Sequence, residues 1–172
     1  MSSTPACPRC GEAHLRRAHR ENIGERLLSL AYVYPFRCQL CGHRFLAMQW
    51  GQRYARRYGD RREYERYATR FPVTFPLGTE EGHGMVRKLS IDGCTVETTV
   101  PLRPGSGLSL TMSPSPGETV TVAHCLVRTV TAGRLGIQFV QLSVAEHDAL
   151  RRVMWPLITA TPVLPSVSTN PV

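Results

Sequence analysis

The sequence predicts a mainly β fold of six short strands and one closing helix, preceded by a small cysteine-rich module. Three observations carry this prediction. Residues 71–142 alternate apolar and polar side chains between regularly spaced turn signals, a helical pattern begins at Ser143, and two Cys-x-x-Cys-Gly motifs lie near the N terminus. A chain of 172 residues has room for one small module and one β domain of about 100 residues.

The N-terminal module, residues 1–48, contains the motifs "CPRCG" and "CQLCG", which place cysteines at Cys7, Cys10, Cys38 and Cys41. Four thiolates complete a tetrahedral Zn²⁺ site, so we expect structural rather than catalytic zinc. The glycine after each pair permits the positive φ that a knuckle turn needs. Redox-active or unligated thiols are the alternative interpretation of these pairs.

A segment of about 45 residues buries too little apolar surface to fold alone, whereas a zinc site supplies about 10–16 kcal/mol. The module is similar to a zinc ribbon, a class that often binds nucleic acid or protein. Six of its arginines either face phosphates or form a solubilising surface: Arg16, Arg17, Arg20, Arg26, Arg37 and Arg44. No aromatic pattern at base spacing accompanies them.

An Arg- and Tyr-rich connector, residues 49–65, follows the module. Residues 1–70 hold 14 of the 21 basic residues but 6 of the 13 acidic ones, so the whole net charge of +8 lies there. A basic segment of this kind is typical of proteins that meet phosphates, although a solvated surface is the commoner explanation of any one run. Upstream of the β domain, Arg56, Arg57, Arg61 and Arg62 fit a solvated linker best.

Each predicted strand is rich in β-branched or apolar residues, and Gly, Pro or Ser occupies each break. The strands are "FPVTFPL", "HGMVRKL", "GCTVETT", "GLSLTM", "TVTVAHCLVRTV" and "LGIQFVQL". Their lengths and spacing favour a small antiparallel barrel or sandwich. Two further cysteines, Cys94 and Cys125, lie inside these strands, and we expect them to be buried free thiols.

The closing helix, "SVAEHDALRRVMWPL", begins at a capping box formed by Ser143 and Glu146. Its apolar residues Leu150, Val153, Met154 and Leu157 recur at helical spacing and predict one buried stripe. Residues 158–172 contain prolines and no charge, so we expect a disordered tail.

No apolar run reaches the roughly 20 residues that a membrane span requires, and no secretion signal is evident. We therefore expect a cytoplasmic protein, where thiols stay reduced and paired cysteines indicate metal. The histidines have no nucleophile at motif spacing and no Gly-rich phosphate loop is present, so we expect no enzymatic activity.

Residues 66 to about 157 resemble the PilZ domain, a bacterial receptor module for the second messenger cyclic di-GMP. The resemblance depends on "RYATRFPV", on "VRKLSIDGC", and on "LGIQFVQL" followed by a helix. It implies a six-stranded antiparallel β-barrel with a C-terminal helix over residues 66–157. It also implies a cyclic di-GMP site in which Arg66 and Arg70 match the family's arginine pair, and Ser90 and Gly93 match its (Asp/Asn)-x-Ser-x-x-Gly motif.

Lys88 stands where that motif has Asp or Asn. A carboxylate or amide accepts hydrogen bonds from guanine, whereas an ammonium group only donates, and the mismatch costs about 1–3 kcal/mol. Two compensations are open: Lys88 contacts a phosphate instead, or the neighbouring Asp92 accepts from the base.

These observations together predict a zinc-containing, cyclic di-GMP-binding adaptor or effector, in which the ligand orders Arg66 and Arg70 and changes how the ribbon meets a protein partner. The alternative is a zinc-ribbon regulator of nucleic acid or protein with a PilZ-like domain that no longer binds the nucleotide. The partner and the process regulated are not encoded in any motif of the sequence.

Overall fold

The N-terminal module is a three-stranded antiparallel sheet with a short helix, in a computed structural model that describes residues 5–54 and 63–160. The sheet order is β1-β2-β3. Its elements are β1 (Leu15–Arg17), α1 (Ile23–Leu28), a 3₁₀ turn (Ser29–Ala31), β2 (Val33–Cys38) and β3 (Arg44–Met48). Helix α1 begins at Asn22, whose side chain accepts a hydrogen bond from the Glu25 backbone N–H at 2.9 Å.

The remaining strands form a closed six-stranded antiparallel barrel in the order β4-β5-β6-β9-β8-β7. They are β4 (Tyr67–Leu77), β5 (Glu80–Ser90), β6 (Gly93–Glu97), β7 (Gly107–Ser115), β8 (Glu118–Thr131) and β9 (Arg134–Gln141). The six predicted strands and the mainly β class are confirmed, and β4–β7 pairing makes the sheet a barrel rather than a sandwich. Closure leaves no unpaired edge along the ring.

Four of the barrel connections are two-residue turns, as the registers across them show: Leu77 with Glu80, Ser90 with Gly93, Ser115 with Glu118, and Thr131 with Arg134. Such tight turns fix the strand register. The Ile91–Asp92 turn therefore holds the ends of β5 and β6 in one position, which matters for the candidate site.

Strand β4 begins four residues earlier than the sequence predicts. Arg70 consequently lies within the strand rather than in a flexible segment before it. The pairing of β4 with β5 shifts register between Ala68 and Phe71, so Arg70 lies at a β-bulge. The period-two alternation does not extend through this segment, because the bulge interrupts it between Ala68 and Phe71.

Helix α2 (Val144–Ala160) begins at the predicted capping box. Ser143 N–H donates to Glu146 Oε2 at 2.7 Å, and Glu146 N–H donates to Ser143 Oγ at 3.3 Å. Leu150, Val153 and Met154 are buried as predicted, whereas Leu157 is only half-buried. Ile158, which the sequence did not place in the stripe, is buried instead. The helix thus packs against the barrel. It ends three residues beyond the predicted limit.

The cysteine module and the barrel share one hydrophobic cluster. Leu40, between the second pair of cysteines, is 1% exposed and belongs to the same cluster as Tyr67 and Phe71 of β4. His14 also meets the Trp155 ring of α2 edge-on, with 5.6 Å between ring centroids. The module therefore lies against the barrel at the start of β4.

None of the helices in the described part of the chain is both long enough and apolar enough to cross a bilayer.

Candidate functional site

The four N-terminal cysteines converge on one point. The sulfur atoms of Cys7, Cys10, Cys38 and Cys41 all lie within 4.8 Å of one another, with 3.5 Å between Cys7 and Cys41 and 3.6 Å between Cys10 and Cys38. Zn–S bonds of about 2.3 Å place tetrahedral sulfurs about 3.8 Å apart, so this arrangement fits Zn²⁺. The cluster is largely buried, and the donor set leaves no coordination position for a substrate.

The two knuckles have the same backbone geometry. Gly11 donates to the Cys7 carbonyl at 2.8 Å and Gly42 donates to the Cys38 carbonyl at 3.1 Å. Both glycines have positive φ, 78° and 67°, as the sequence predicts. Burial raises the pKa of the Cys38 and Cys41 thiols, so a cation must displace protons to bind there.

The histidines near the module make other contacts in the structure. His14 packs against Trp155, and His43 stacks on the Phe45 ring. Neither belongs to the sulfur cluster, which contains cysteines alone.

The arginine pair and the Ser-x-x-Gly turn lie on adjacent strands. Arg66 directly precedes β4 and Arg70 lies within it, and both side chains are exposed. Lys88 is also exposed and lies on β5. It is in register with Ala68 of β4, and Ala68 stands between the two arginines in the sequence. Positive side chains thus line the β4–β5 edge of this surface.

Ser90 and Gly93 are both buried and close the turn between β5 and β6. The Ser90 hydroxyl donates to the Gly93 carbonyl at 2.9 Å. A Cβ on Gly93 would lie 2.2 Å from the Ile137 carbonyl oxygen of β9. The barrel therefore requires a glycine at this position whether or not a ligand approaches it.

Asp92 is exposed at the tip of this turn and lies in a mixed electrostatic environment. Desolvation by its neighbours raises the pKa of the Asp92 carboxyl, and Glu63 acts in the same direction. A hydrogen bond from Gln138 and the positive charges of Arg66 and Arg37 oppose that rise. Arg66 is therefore near enough to Asp92 to interact electrostatically with it.

Gln138 links Asp92 to a further arginine. It lies on β9 in register with Gly93, and its Oε1 accepts a hydrogen bond from Arg128 Nε at 2.7 Å. Sequence reasoning missed Gln138 and Arg128, because only the β6–β9 and β8–β9 pairings bring them beside the turn.

The second knuckle holds the residues that precede Arg66. The Gln39 side chain, almost fully buried, accepts a hydrogen bond from the Glu65 backbone N–H at 2.7 Å. Arg37 pairs with the Glu63 carboxylate at 2.8 Å and donates to the Tyr64 hydroxyl at 3.1 Å. The cysteine module is thereby fixed to the backbone next to the arginine pair.

Several arginines of the module are engaged internally. Arg44 pairs with Glu25 at 2.7 Å, and the Arg17 guanidinium lies 4.2 Å from the Tyr54 ring centroid. Arg20 lies over the Tyr34 ring. Part of this basic set, for which the sequence left open a phosphate-binding and a solubilising role, therefore makes contacts within the module. Arg56, Arg57, Arg61 and Arg62 fall outside the described residues.

An open cleft of about 590 Å³ lies between the cysteine module and the first turns of α2. Asp92, Tyr64 and Gly42 line it on one side, and His147 and Arg151 line it on the other. The arginine pair, Lys88, Ser90 and Gly93 do not line this cleft. The candidate nucleotide surface is thus the outer wall of the barrel beside the cleft.

The model of the PilZ domain family matches residues 60–154. The PilZ domain of YcgR from Escherichia coli, with c-di-GMP, is a similar structure with 16% identity and a TM-score of 0.51, covering 59% of this chain and 94% of that one. Escherichia coli YcgR in complex with c-di-GMP has 13% identity and a TM-score of 0.53, covering 81% of this chain and 72% of that one. These structural likenesses show a shared fold. No curated protein gives a significant match.

Proposed function

This chain belongs to the PilZ domain family, and from that premise we propose that it is a receptor for cyclic di-GMP. The observation that carries the proposal is the placement of Arg66 and Arg70 beside the β5–β6 turn on one exposed surface. In the proposal the protein acts as a non-enzymatic adaptor or effector. Its N-terminal module is a structural zinc ribbon.

The arginines supply the chemistry that a cyclic dinucleotide needs. A guanidinium forms paired hydrogen bonds to phosphate oxygens or to guanine O6 and N7, and it also stacks on a base. Arg66 and Arg70 are both exposed, so their side chains are accessible to the ligand. Lys88 on the neighbouring strand would contact a phosphate, since it has no acceptor for a base.

Asp92 and Gln138 would provide the acceptors that Lys88 lacks. The carboxylate of Asp92 is exposed at the turn, and the Gln138 side chain beside it accepts a hydrogen bond from Arg128. A guanine edge with N1–H and N2–H₂ donors would meet this carboxylate favourably. The role of Ser90 and Gly93 would then be to hold the β5–β6 turn in its conformation.

Cys7, Cys10, Cys38 and Cys41 would hold the zinc ion, which supplies folding free energy to the module. The fixed module positions Gln39 and Arg37 against residues 63–65, immediately before Arg66. Ligand contacts made by Arg66 would therefore alter how the module is held. The free energy for that change must come from contacts made only in the bound state.

Titration calorimetry with cyclic di-GMP tests the receptor function. We expect saturable heat with the wild-type chain and at least tenfold weaker binding for Arg70→Ala. Arg103→Ala is the matched control, because Arg103 is exposed in the loop between β6 and β7, outside the candidate surface. Absence of heat for the wild type at high micromolar ligand contradicts the proposal.

Metal analysis of the purified chain tests the zinc ribbon independently of the nucleotide. We expect about one zinc per chain, lost in Cys38→Ser and retained in Cys125→Ser, because Cys125 lies in β8 outside the sulfur cluster. A metal-free wild-type chain with a folded module would show that the cluster serves another purpose.

A zinc-ribbon regulator without nucleotide binding is the second candidate, and Lys88 at the acceptor position favours it. The described residues before the barrel, 5–54, carry eight arginines and three glutamates, a net charge of +5. Binding to DNA or RNA that weakens steeply with salt, together with no response to cyclic di-GMP, would support this candidate.

A further inference from the structure

Helix α1 buries a charged side chain and exposes its apolar face, the reverse of an ordinary amphipathic surface helix. Its Glu25 side chain is buried, where it pairs with Arg44 of β3 and accepts a hydrogen bond from the Glu21 backbone N–H at 2.8 Å. Ile23, Leu27 and Leu30 are 73%, 62% and 66% exposed. Ile23 and Leu27 lie one turn apart on the face of α1 opposite to Glu25, and Leu30 lies in the 3₁₀ turn that follows the helix. Surface helices normally bury such a stripe and expose the carboxylate.

The exposed apolar surface continues on β3. Arg44, Leu46 and Met48 alternate along the strand and share one side of the sheet. That side is the one on which α1 lies, because Arg44 reaches Glu25. Leu46 and Met48 are both exposed.

Trp50, 76% exposed, extends this surface past the end of β3. Its ring packs against Tyr32, which directly follows the 3₁₀ turn, with 5.1 Å between centroids. We call the six exposed residues the docking face: Ile23, Leu27, Leu30, Leu46, Met48 and Trp50. Contiguous apolar patches beyond a few hundred Å² are rare on monomers and usually mark an interface.

Positive charge borders the docking face. Arg26 is exposed on the flank of the α1 stripe, and the Arg53 guanidinium lies over the Tyr32 ring, 5.2 Å from its centroid. Glu25 is buried and Glu21 pairs with Arg44, so the carboxylates of this region are already partnered. The complementary surface is apolar at its centre and acidic at its rim.

We propose that α1 and the 3₁₀ turn after it dock into an apolar groove of a partner protein whose rim carries carboxylates. Ile23, Leu27 and Leu30 insert into the groove, and Arg26 and Arg53 meet the rim. Apolar anchors about one helical turn apart are the pattern by which helical segments bind grooves. This inference goes beyond the proposed nucleotide and zinc functions, because it assigns the output surface of the module.

A second copy of the chain fits the docking face less well, because it would bring together two copies of residues 5–54 that each carry a net charge of +5. An acidic protein groove instead matches both the apolar stripe and its arginines.

Selection from a displayed library of random peptides on the full-length, zinc-loaded chain supplies a probe of this chemistry. We expect the enriched peptides to combine apolar and acidic residues. Fluorescence anisotropy of a selected synthetic peptide should show at least about tenfold weaker binding to Leu27→Glu. Leu77→Glu is the matched control, since Leu77 is an exposed leucine at the far end of β4 and should bind the peptide like the wild type.

Circular dichroism and zinc stoichiometry check that Leu27→Glu remains folded, and Ile23→Glu replaces it if it does not. Recovery of no peptide, of basic peptides, or of peptides that bind Leu27→Glu as well as the wild type overturns the proposal. So does a dimer, measured by light scattering, that Leu27→Glu dissociates. Sedimentation with phosphatidylglycerol vesicles that depends on Leu27 overturns it as well.

Discussion

Gly93 illustrates how one residue serves both the fold and the candidate site. The family resemblance marks this glycine as part of a ligand motif, and the structure gives it a second reason. Its α-carbon faces the Ile137 carbonyl of β9 so closely that a methyl group has no room. The β5–β6 turn that carries Asp92 thus depends on the packing of β6 against β9, a strand that is distant in the sequence.

Gly93→Ala should destabilise the barrel by about 1–3 kcal/mol or more, because the obstructing atom is a backbone carbonyl that cannot rotate away. Urea unfolding followed by circular dichroism measures the change. Gly107→Ala is the control, since its nearest obstruction is 3.9 Å away. Equal midpoints for the two variants would refute the steric account.

Lys88→Asp should weaken cyclic di-GMP binding about tenfold, because it removes the proposed phosphate contact while Asp92 already supplies the acceptor for guanine. Calorimetry on the variant and on Lys88→Ala separates a new acceptor from the loss of a positive charge. Tighter binding by Lys88→Asp than by the wild type would mean that this position needs an acceptor and that Lys88 contacts no phosphate.

Among the elements, α2 is held to the barrel by its capping residue. Glu146 accepts hydrogen bonds from Ser143 N–H and, at 2.7 Å, from Ala123 N–H of β8. These hydrogen bonds lower the pKa of Glu146 below its ordinary value of 4.5. The cap therefore also joins the helix to a strand, which the sequence motif alone did not indicate.

A lowered pKa in the folded state means that the Glu146 contribution to stability is complete above about pH 4.5 and is lost as the pH falls through the folded-state pKa. Glu146→Gln should be less stable than the wild type at pH 7, and the two should converge once the pH falls below the folded-state pKa. Thermal unfolding across this range measures the difference. Asp148→Asn, an exposed change on the same helix, should follow the wild-type profile.

For the whole molecule, the important contact is the one between the cysteine module and the start of β4. Leu40 shares a hydrophobic cluster with Tyr67, while Gln39 accepts a hydrogen bond from the Glu65 backbone immediately before Arg66. One short segment of backbone therefore joins the module to the arginine pair.

Removal of zinc by a chelator should weaken cyclic di-GMP binding while the barrel stays folded, because residues 63–65 lose their support. Gln39→Leu should weaken binding in the same direction and still retain zinc. Calorimetry with parallel metal analysis separates the two effects. Unchanged affinity in both cases would show that the module and the nucleotide surface are uncoupled.

Sequence patterns were sufficient for features that depend on neighbouring residues. The apolar alternation predicted six strands, the Ser143–Glu146 spacing predicted the start of α2, and the paired cysteines with their glycines predicted two equivalent knuckles. Each is a local property, because strand, cap and knuckle geometry follow from residues a few positions apart.

Tertiary structure alone decided which distant groups meet. The β6–β9 and β8–β9 pairings brought Gln138 and Arg128 to the Asp92 turn, the packing of the module brought Gln39 to Glu65, and the pairing of Glu25 with Arg44 turned the apolar side of α1 outward. The physical reason is that these contacts depend on strand order and packing between segments up to tens of residues apart. Local propensity therefore does not predict these contacts, whereas the periodicity of apolar side chains can be read directly from the sequence.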